Sequence, residues 1–371
     1  MSVSTSAPIC VLKLGSNALT DNQGHLDLPF LDIMAGQVRQ AVDAGWWPVV
    51  VSSGAVACGM AAMRLESKPS ALPDRQALAA IGQAGLAHRW QVALAAHGLQ
   101  GAQVLLTGDD FQDRTRYLNL AATFRSLASY AVIPVINEND TVSVAELTVG
   151  DNDRLSALVA SQLGARHLLL LTDIDGVYDA DPRHHPAAQR LSELTRIDEA
   201  LLQHMGGEGL RGRGGMRSKL EAARIATRAG VLTTIAHAQH PEVLAKVLRG
   251  ENPGTQVRAG SARVPSQRRR WLALARRPAG SLQVDDGAAA ALVQRGHSLL
   301  AAGIVAVTGE FQRGDTIAIV DSQGAELARG LAGLGAQELI PILGLRMEEA
   351  AALAGYPLPK AVVHRDNLLI S

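Results

Sequence analysis

The chain has 371 residues, 47% hydrophobic and 19% charged, which is enough apolar material for two packed domains and too little charge for wholesale disorder. Thirty-five basic and thirty-five acidic side chains cancel to a formal charge of zero, which argues against nucleic-acid binding by bulk positive charge. The only cysteines are Cys10 and Cys58, the opening residues show no basic and apolar leader, and no apolar run reaches the ~18 residues of a bilayer span, so a cytoplasmic globular protein is expected, with no membrane partner.

Ile9-Cys-Val-Leu-Lys-Leu reads as a first strand closed by Gly15-Ser16-Asn17. Helical apolar spacing then runs from about Leu28 to Ala44 and stops at Gly45. Trp47-Pro-Val-Val-Val-Ser is a second strand and leads into Ser52-Ser53-Gly54-Ala55. Val104–Thr107, Ala131–Asn137 and His167–Asp173 repeat the theme with helical patterns between most of them. Strands apolar throughout, alternating with helices, predict an α/β fold: a three-layer open sheet, mostly parallel. Ligands gather at the carboxyl ends of strands in such sheets.

Near residue 258 the pattern changes. A basic stretch, interrupted by Pro265 and Pro278, reads as a linker over 259–280 between a first domain at 1–258 and a second at 281–371. Ser281–Val284, a helical Asp286–Arg295, Gly303–Gly309, Thr316–Val320 and Ala361–His364 predict a small β-rich barrel.

Several familiar strings fail on context. Gly207-x-Gly209-x-x-Gly212 follows a helical pattern rather than a strand, and no Gly-Lys dipeptide exists for a P-loop. His184-His185 near Asp179 and Asp181 fits a polar loop better than a metal site.

Three constellations stand above that background. Five of the thirty-five basic residues are lysines, and one of them, Lys13, ends the first strand beside Gly15-Ser16, where a point charge can meet phosphate oxygens. Asn137-Glu138-Asn139-Asp140 and Gly150-Asp151-Asn152-Asp153 gather amides and carboxylates within seventeen residues; such a set suits an amino acid's ammonium and carboxylate groups, and turns are its plainer explanation. Gly212-Arg213-Gly214-Gly215-Met216-Arg217-Ser218-Lys219 leads into a helical pattern from Leu220 to Ala229, so a glycine loop, a helix N-terminus and a lysine converge where an anion would sit.

Leu12-Lys-Leu-Gly, Val51-Ser-Ser-Gly-Ala, Pro134-Val-Ile-Asn-Glu-Asn-Asp, Val149-Gly-Asp-Asn-Asp and Gly214-Gly-Met together resemble the amino acid kinase family. The Ile-Asn-Glu-Asn-Asp and Gly-Asp-Asn-Asp pair is similar to the bacterial branch that acts on free L-glutamate, and the second domain resembles a PUA domain. The resemblance implies ATP-dependent phosphorylation of the γ-carboxylate of L-glutamate to L-glutamyl 5-phosphate, the first step towards proline. It implies Mg²⁺, a homo-oligomer and feedback inhibition by proline. Carried over by motif, Lys13, Lys219 and Asp153 are the catalytic set, with Lys13 and Lys219 on the phosphates and Asp153 organising the lysines. Ser53, Asn137, Asp140 and Asn152 would hold glutamate. Thr172, Asp173, Lys13 and the run Arg213, Gly214, Gly215, Met216, Arg217, Ser218 and Lys219 would bind the nucleotide. Asn17 departs from the family's usual Ser or Thr, and Arg213 and Arg217 from its small hydroxyl residues. The alternatives are a kinase for aspartate or N-acetylglutamate, and an RNA-binding protein using the second domain with Arg268-Arg269-Arg270 and Trp271.

Overall fold

A strand as apolar as Ile9–Leu14 (β1), in which Lys13 is the single charged residue, needs sheet neighbours on both sides and helices on both faces. The computed structural model describes residues 7–21, 23–143, 151–180, 182, 185, 187–204, 213–258 and 278–370. They divide into two compact units, 1–264 and 265–371.

In the first unit β1 is followed by α1 (Ser16–Leu19), α2 (Leu28–Asp43), β2 (Trp47–Ser52), α3 (Ala55–Met63), α4 (Leu72–Ala96) and β3 (Gln100–Leu106). Then come α5 (Arg114–Ser129), β4 (Val132–Glu138), α6 (Asp151–Leu163), β5 (His167–Thr172), β6 (Val177–Tyr178), β7 (Arg190–Leu191) and β8 (Glu193–Leu194). The unit continues with α7 (Glu199–His204), α8 (Arg213–Arg228), β9 (Leu232–His237), α9 (Val243–Leu248) and β10 (Thr255–Val257). The main sheet has the order β3-β4-β2-β1-β5-β9-β10-β8, parallel except where β10 meets β9. From β1 the chain builds outward to one side through β2 and later to the other through β5, so a topological switch point lies between β1 and β5.

Two groups of helices cover the sheet. Leu31, Met34 and Val38 of α2 and Leu86, Trp90 and Leu94 of α4 share a core with Leu12 and Leu14. The other group comprises α5, α6 and α8, with α6 packed along β1. Helix α3 lies against α4 with almost no separation: a Cβ on Gly82 would stand 2.0 Å from the Ala55 carbonyl oxygen. That approach fixes the Ser53-Gly54 turn, where Gly54 takes φ +112°. Trp90 tightens it by donating Nε1–H to Ser52 Oγ at 2.8 Å.

The second unit carries β11 (Gly280–Val284), α10 (Asp286–Arg295), β12 (Ile304–Gly309), β13 (Thr316–Val320), β14 (Glu326–Leu331), α11 (Ala336–Leu339), α12 (Met347–Ala354) and β15 (Leu368–Ile370). Its five-stranded sheet has the order β12-β11-β13-β14-β15.

Two expectations need correction. Ala361–His364 forms no strand: Val362 and Val363 are buried as core filler, and the segment makes a single bridge with Leu299. Apolar content there reflects burial without a ladder, and β15 supplies the last strand instead. The glycine run also belongs to a helix rather than a loop. Helix α8 begins at Arg213, seven residues before the expected start, and carries Gly214, Gly215, Met216, Arg217, Ser218 and Lys219 in its first two turns. Burial of Met216, Ser218, Lys219 and Leu220 against α6 outweighs the poor intrinsic helix propensity of two glycines. Gly207–Gly212, Asp181, His184, Gly150 and the Arg268–Trp271 stretch lie outside the described residues.

Candidate active site

Register brings the motif residues to one edge of the sheet. Lys13 pairs with Val51 of β2 and Leu170 of β5, and Val51 pairs with Ile136 of β4. Lys13, Ser52, Asn137 and Leu171 therefore fall within one residue of a common level, and Ser53 follows directly, its N–H donating to the Leu14 carbonyl at 3.1 Å.

Asn152 and Asp153 arrive from elsewhere, in the first turn of α6, where carboxylates are favoured by the helix dipole. Asp153 is 2% exposed and lies between two lysines. Lys13 Nζ is 2.5 Å from Oδ1 and Lys219 Nζ is 3.2 Å from Oδ2; both lysines are more than nine-tenths buried. Ser218 donates Oγ–H to the same Oδ2 at 2.7 Å, and Lys219 also donates to the Gly215 carbonyl at 3.3 Å. Burial alone would raise the Asp153 carboxyl, but Lys13 and Lys219 beside it hold it below the usual carboxylate range. Burial pushes the Lys13 ammonium down, opposed by Asp153 and reinforced by Lys219. The three buried charges sum to +1. Lys219 also acts on the exposed Asp173 carboxylate, and the excess positive charge of the buried cluster suits an anionic ligand.

Beside this cluster stands a set of neutral amides. Asn152 Nδ2 donates to Ser53 Oγ at 3.0 Å and to Asn137 Oδ1 at 2.9 Å, while its Oδ1 accepts from the Glu138 backbone N–H at 3.2 Å. Asn137 Nδ2 donates to Gln83 Oε1 at 2.8 Å. Ser53, Asn137 and Asn152 are thus directly linked. Asp140 is not bonded to them; it sits on the next turn, where burial raises its carboxyl and Lys68 partly offsets that.

At the end of β5, Thr172 Oγ1 donates to Asp173 Oδ1 at 2.9 Å and Asn17 Nδ2 approaches Asp173 Oδ2 at 3.4 Å. The unusual Asn17 therefore ties the turn after β1 to the turn after β5. Burial raises the Asp173 carboxyl, but hydrogen bonds from Thr172 and Asn17 and the charge of Lys219 leave it lowered. Arg217 does not reach into this region: its Nε donates to Glu221 Oε1 at 3.0 Å along its own helix. Met216 is core, with its side chain buried.

Sequence reasoning missed two partners and one contact. Gln83 lies mid-helix, 54 residues before Asn137, with no local signal. Lys68, which belongs to none of the motifs, stands near Asp140. Ser218, expected on the nucleotide, donates to Asp153, a contact its spacing does not announce. Among the described residues no group of three or more His, Cys, Asp or Glu could hold a metal ion, and no helix is long and apolar enough to cross a membrane.

A parallel sheet with a switch point, a buried lysine pair at its carboxyl edge and a glycine-led helix define a phosphoryl-transfer fold of one class. The amino acid kinase family matches residues 8–236 and the PUA domain residues 280–352, and the chain belongs to the amino acid kinase family. Within it the chain groups with glutamate 5-kinases. It is 45% identical over 360 residues to the glutamate 5-kinase of Chromohalobacter salexigens, covering 97% of this chain and 95% of that protein. It is 44% identical over 367 residues to that of Pseudomonas savastanoi pv. phaseolicola, covering 99% of this chain and 100% of that one. Among solved structures, carbamate kinase from Giardia lamblia bound to AMP-PNP aligns with a TM-score of 0.50 at 17% identity, over 69% of this chain and 100% of that one; it shares the fold.

Proposed function

We propose that this protein transfers the γ-phosphoryl group of ATP to the γ-carboxylate of L-glutamate, giving L-glutamyl 5-phosphate and ADP, the entry step to proline. The observation that carries this reading is the juxtaposition of two unlike sets: a buried cluster of net charge +1 and, on the neighbouring strand ends, a chain of neutral amides.

The acceptor is already a nucleophile. A side-chain carboxylate with a pKa near ~4.3 is ionised at neutral pH, so no general base is required. A γ-carboxylate oxygen attacks the γ-phosphorus, the new O–P bond forms as the bond to the β,γ-bridging oxygen breaks, and ADP leaves with that electron pair. No proton has to move. What remains is to bring two anions together and to stabilise charge spreading over the transferring group. In this reading Lys13 and Lys219 supply the positive charge and Asp153 holds them apart at fixed positions. Ser53, Asn137 and Asn152 seat the amino acid, with Asp140 towards its ammonium. Thr172, Asp173 and the first turns of α8 receive the nucleotide, with backbone N–H groups rather than the Arg217 side chain as donors. Mg²⁺ would be carried in with ATP as Mg·ATP and would add positive charge beside Lys13 and Lys219. Proline shares the α-ammonium and α-carboxylate of glutamate, so competition at the same seat is part of the reading, as is a homo-oligomeric assembly.

The test is ADP release from Mg·ATP with L-glutamate, L-aspartate or N-acetyl-L-glutamate in parallel and hydroxylamine to trap acyl phosphate. Hydroxamate that depends on L-glutamate is the expected result. ADP release indifferent to glutamate, or none, would remove the assignment; an RNA-shift assay on the full chain would then test the RNA-binding alternative.

A further inference from the structure

Hydrogen-bond direction in the amide set can be read from a single fixed donor. A backbone N–H only donates, so the Glu138 N–H at 3.2 Å forces Asn152 to present Oδ1 to it. Asn152 must then turn Nδ2 towards Ser53 and Asn137, at 3.0 and 2.9 Å. Asn137 must accept that bond through Oδ1, and its own Nδ2 therefore faces Gln83, whose Oε1 accepts at 2.8 Å. Polarity is thus propagated through three amides in series. It leaves Ser53 as an acceptor towards Asn152, with its hydroxyl proton directed elsewhere. Asn137 retains a second N–H. Donors left over in this way are what a carboxylate ligand needs.

We propose that Gln83 is a positioning residue for the amino-acid seat: it acts through Asn137, anchoring Nδ2 by accepting one of its two N–H groups and leaving the other for the substrate. The inference rests on the assignment of a carboxylate amino acid to Ser53, Asn137 and Asn152. The fold supplies the rigidity. Gln83 follows Gly82, whose missing side chain lets α4 lie against the Ala55 carbonyl of α3, so the helix bearing Gln83 is registered against the turn bearing Ser53. The partly buried Gln83 and buried Asn137 are held from two helices and one strand end.

The experiment uses the full-length protein and begins with glutamate-dependent hydroxamate formation by the unmodified enzyme; failure there removes the substrate assignment, not the role of Gln83 alone. With activity in hand, Gln83→Met keeps the length and helix propensity of the side chain and removes its acceptor. The expected result is a rise in KM for L-glutamate of roughly tenfold, with kcat and KM for ATP changed less than about twofold. In an Asn137→Ala background the same substitution adds nothing, because Gln83 works only through Asn137. An unchanged glutamate KM overturns the proposal, as does an effect that is additive with Asn137→Ala or that falls equally on ATP. Should Gln83→Met fail to accumulate as folded protein, Gln83→Ala carries the same comparison.

Discussion

The two ends of the candidate site solve opposite problems with opposite chemistry. At the β1 end, Lys13, Asp153 and Lys219 are formal charges removed from water, and the cluster is left one positive charge in excess. At the β2 and β4 end, Ser53, Asn137, Asn152 and Gln83 are neutral and joined in series by hydrogen bonds that leave donors to spare. In the proposed reaction, charge lies where it develops during phosphoryl transfer and where a strong field is needed. In the same proposal, neutral amides tell one small molecule from another, since a hydrogen-bond donor misaligned by a wrong substrate remains unpaired. Aspartate 153 is the hinge between them: its neighbour Asn152 serves the amide set, so a single turn of α6 sets the spacing of both.

The comparison is broken most severely by removing that hinge. Asp153→Ala leaves two buried ammonium groups uncompensated, and a loss of about 3–5 kcal/mol in denaturant unfolding is expected together with loss of turnover. A variant of wild-type stability would show that the lysines are not held by this carboxylate. Next in size, Lys219→Met should cut kcat by roughly 10²–10³ while glutamate KM moves only a few-fold, because the charge is needed in the transition state. Steady-state kinetics separates this from a binding defect. On the neutral side the split reverses: Asn152→Ala should raise glutamate KM by about tenfold or more with a smaller effect on kcat, seen in the same assay.

A fourth prediction concerns pH. Burial raises the Asp140 carboxyl above its unfolded value, so the native state binds the proton more tightly and stability falls as pH rises through that window, the full penalty being present above it. Asp140→Asn should therefore unfold at or slightly above the wild-type temperature at pH 7 while glutamate KM increases. A lower melting temperature would indicate that the charge is compensated by more than Lys68. The smallest effect is expected at Arg217, half-exposed and paired with Glu221 one turn on: Arg217→Ala should change stability by ~0.5 kcal/mol or less and leave ATP KM nearly unaltered. A large rise in ATP KM would restore the nucleotide contact that its position in the motif first implied.

What was legible in the sequence was everything carried by local order. The apolar runs of β1, β2, β4 and β5 announced a buried parallel sheet because no half-exposed strand tolerates so little polarity. The amide and carboxylate residues at their ends, and the lysine ending β1, were legible for the same reason: polar groups interrupting apolar strands demand a partner or a ligand. The beginning of α8 was not legible, since glycine propensity points to a loop and only packing of Met216, Ser218, Lys219 and Leu220 reverses it.

Residue type and spacing, then, determined the layered α/β architecture, the strand ends where chemistry would gather and the identity of most groups there. Tertiary structure decided which of them touch: that Asp153 clasps Lys13 across 140 residues and Lys219 across 66, that Ser218 serves the carboxylate, and that Gln83 closes the amide chain. Hydrogen bonds and ion pairs depend on distances of a few tenths of an ångström between side chains far apart in sequence. Only the packing of α3, α4, α6 and α8 around the sheet sets those distances.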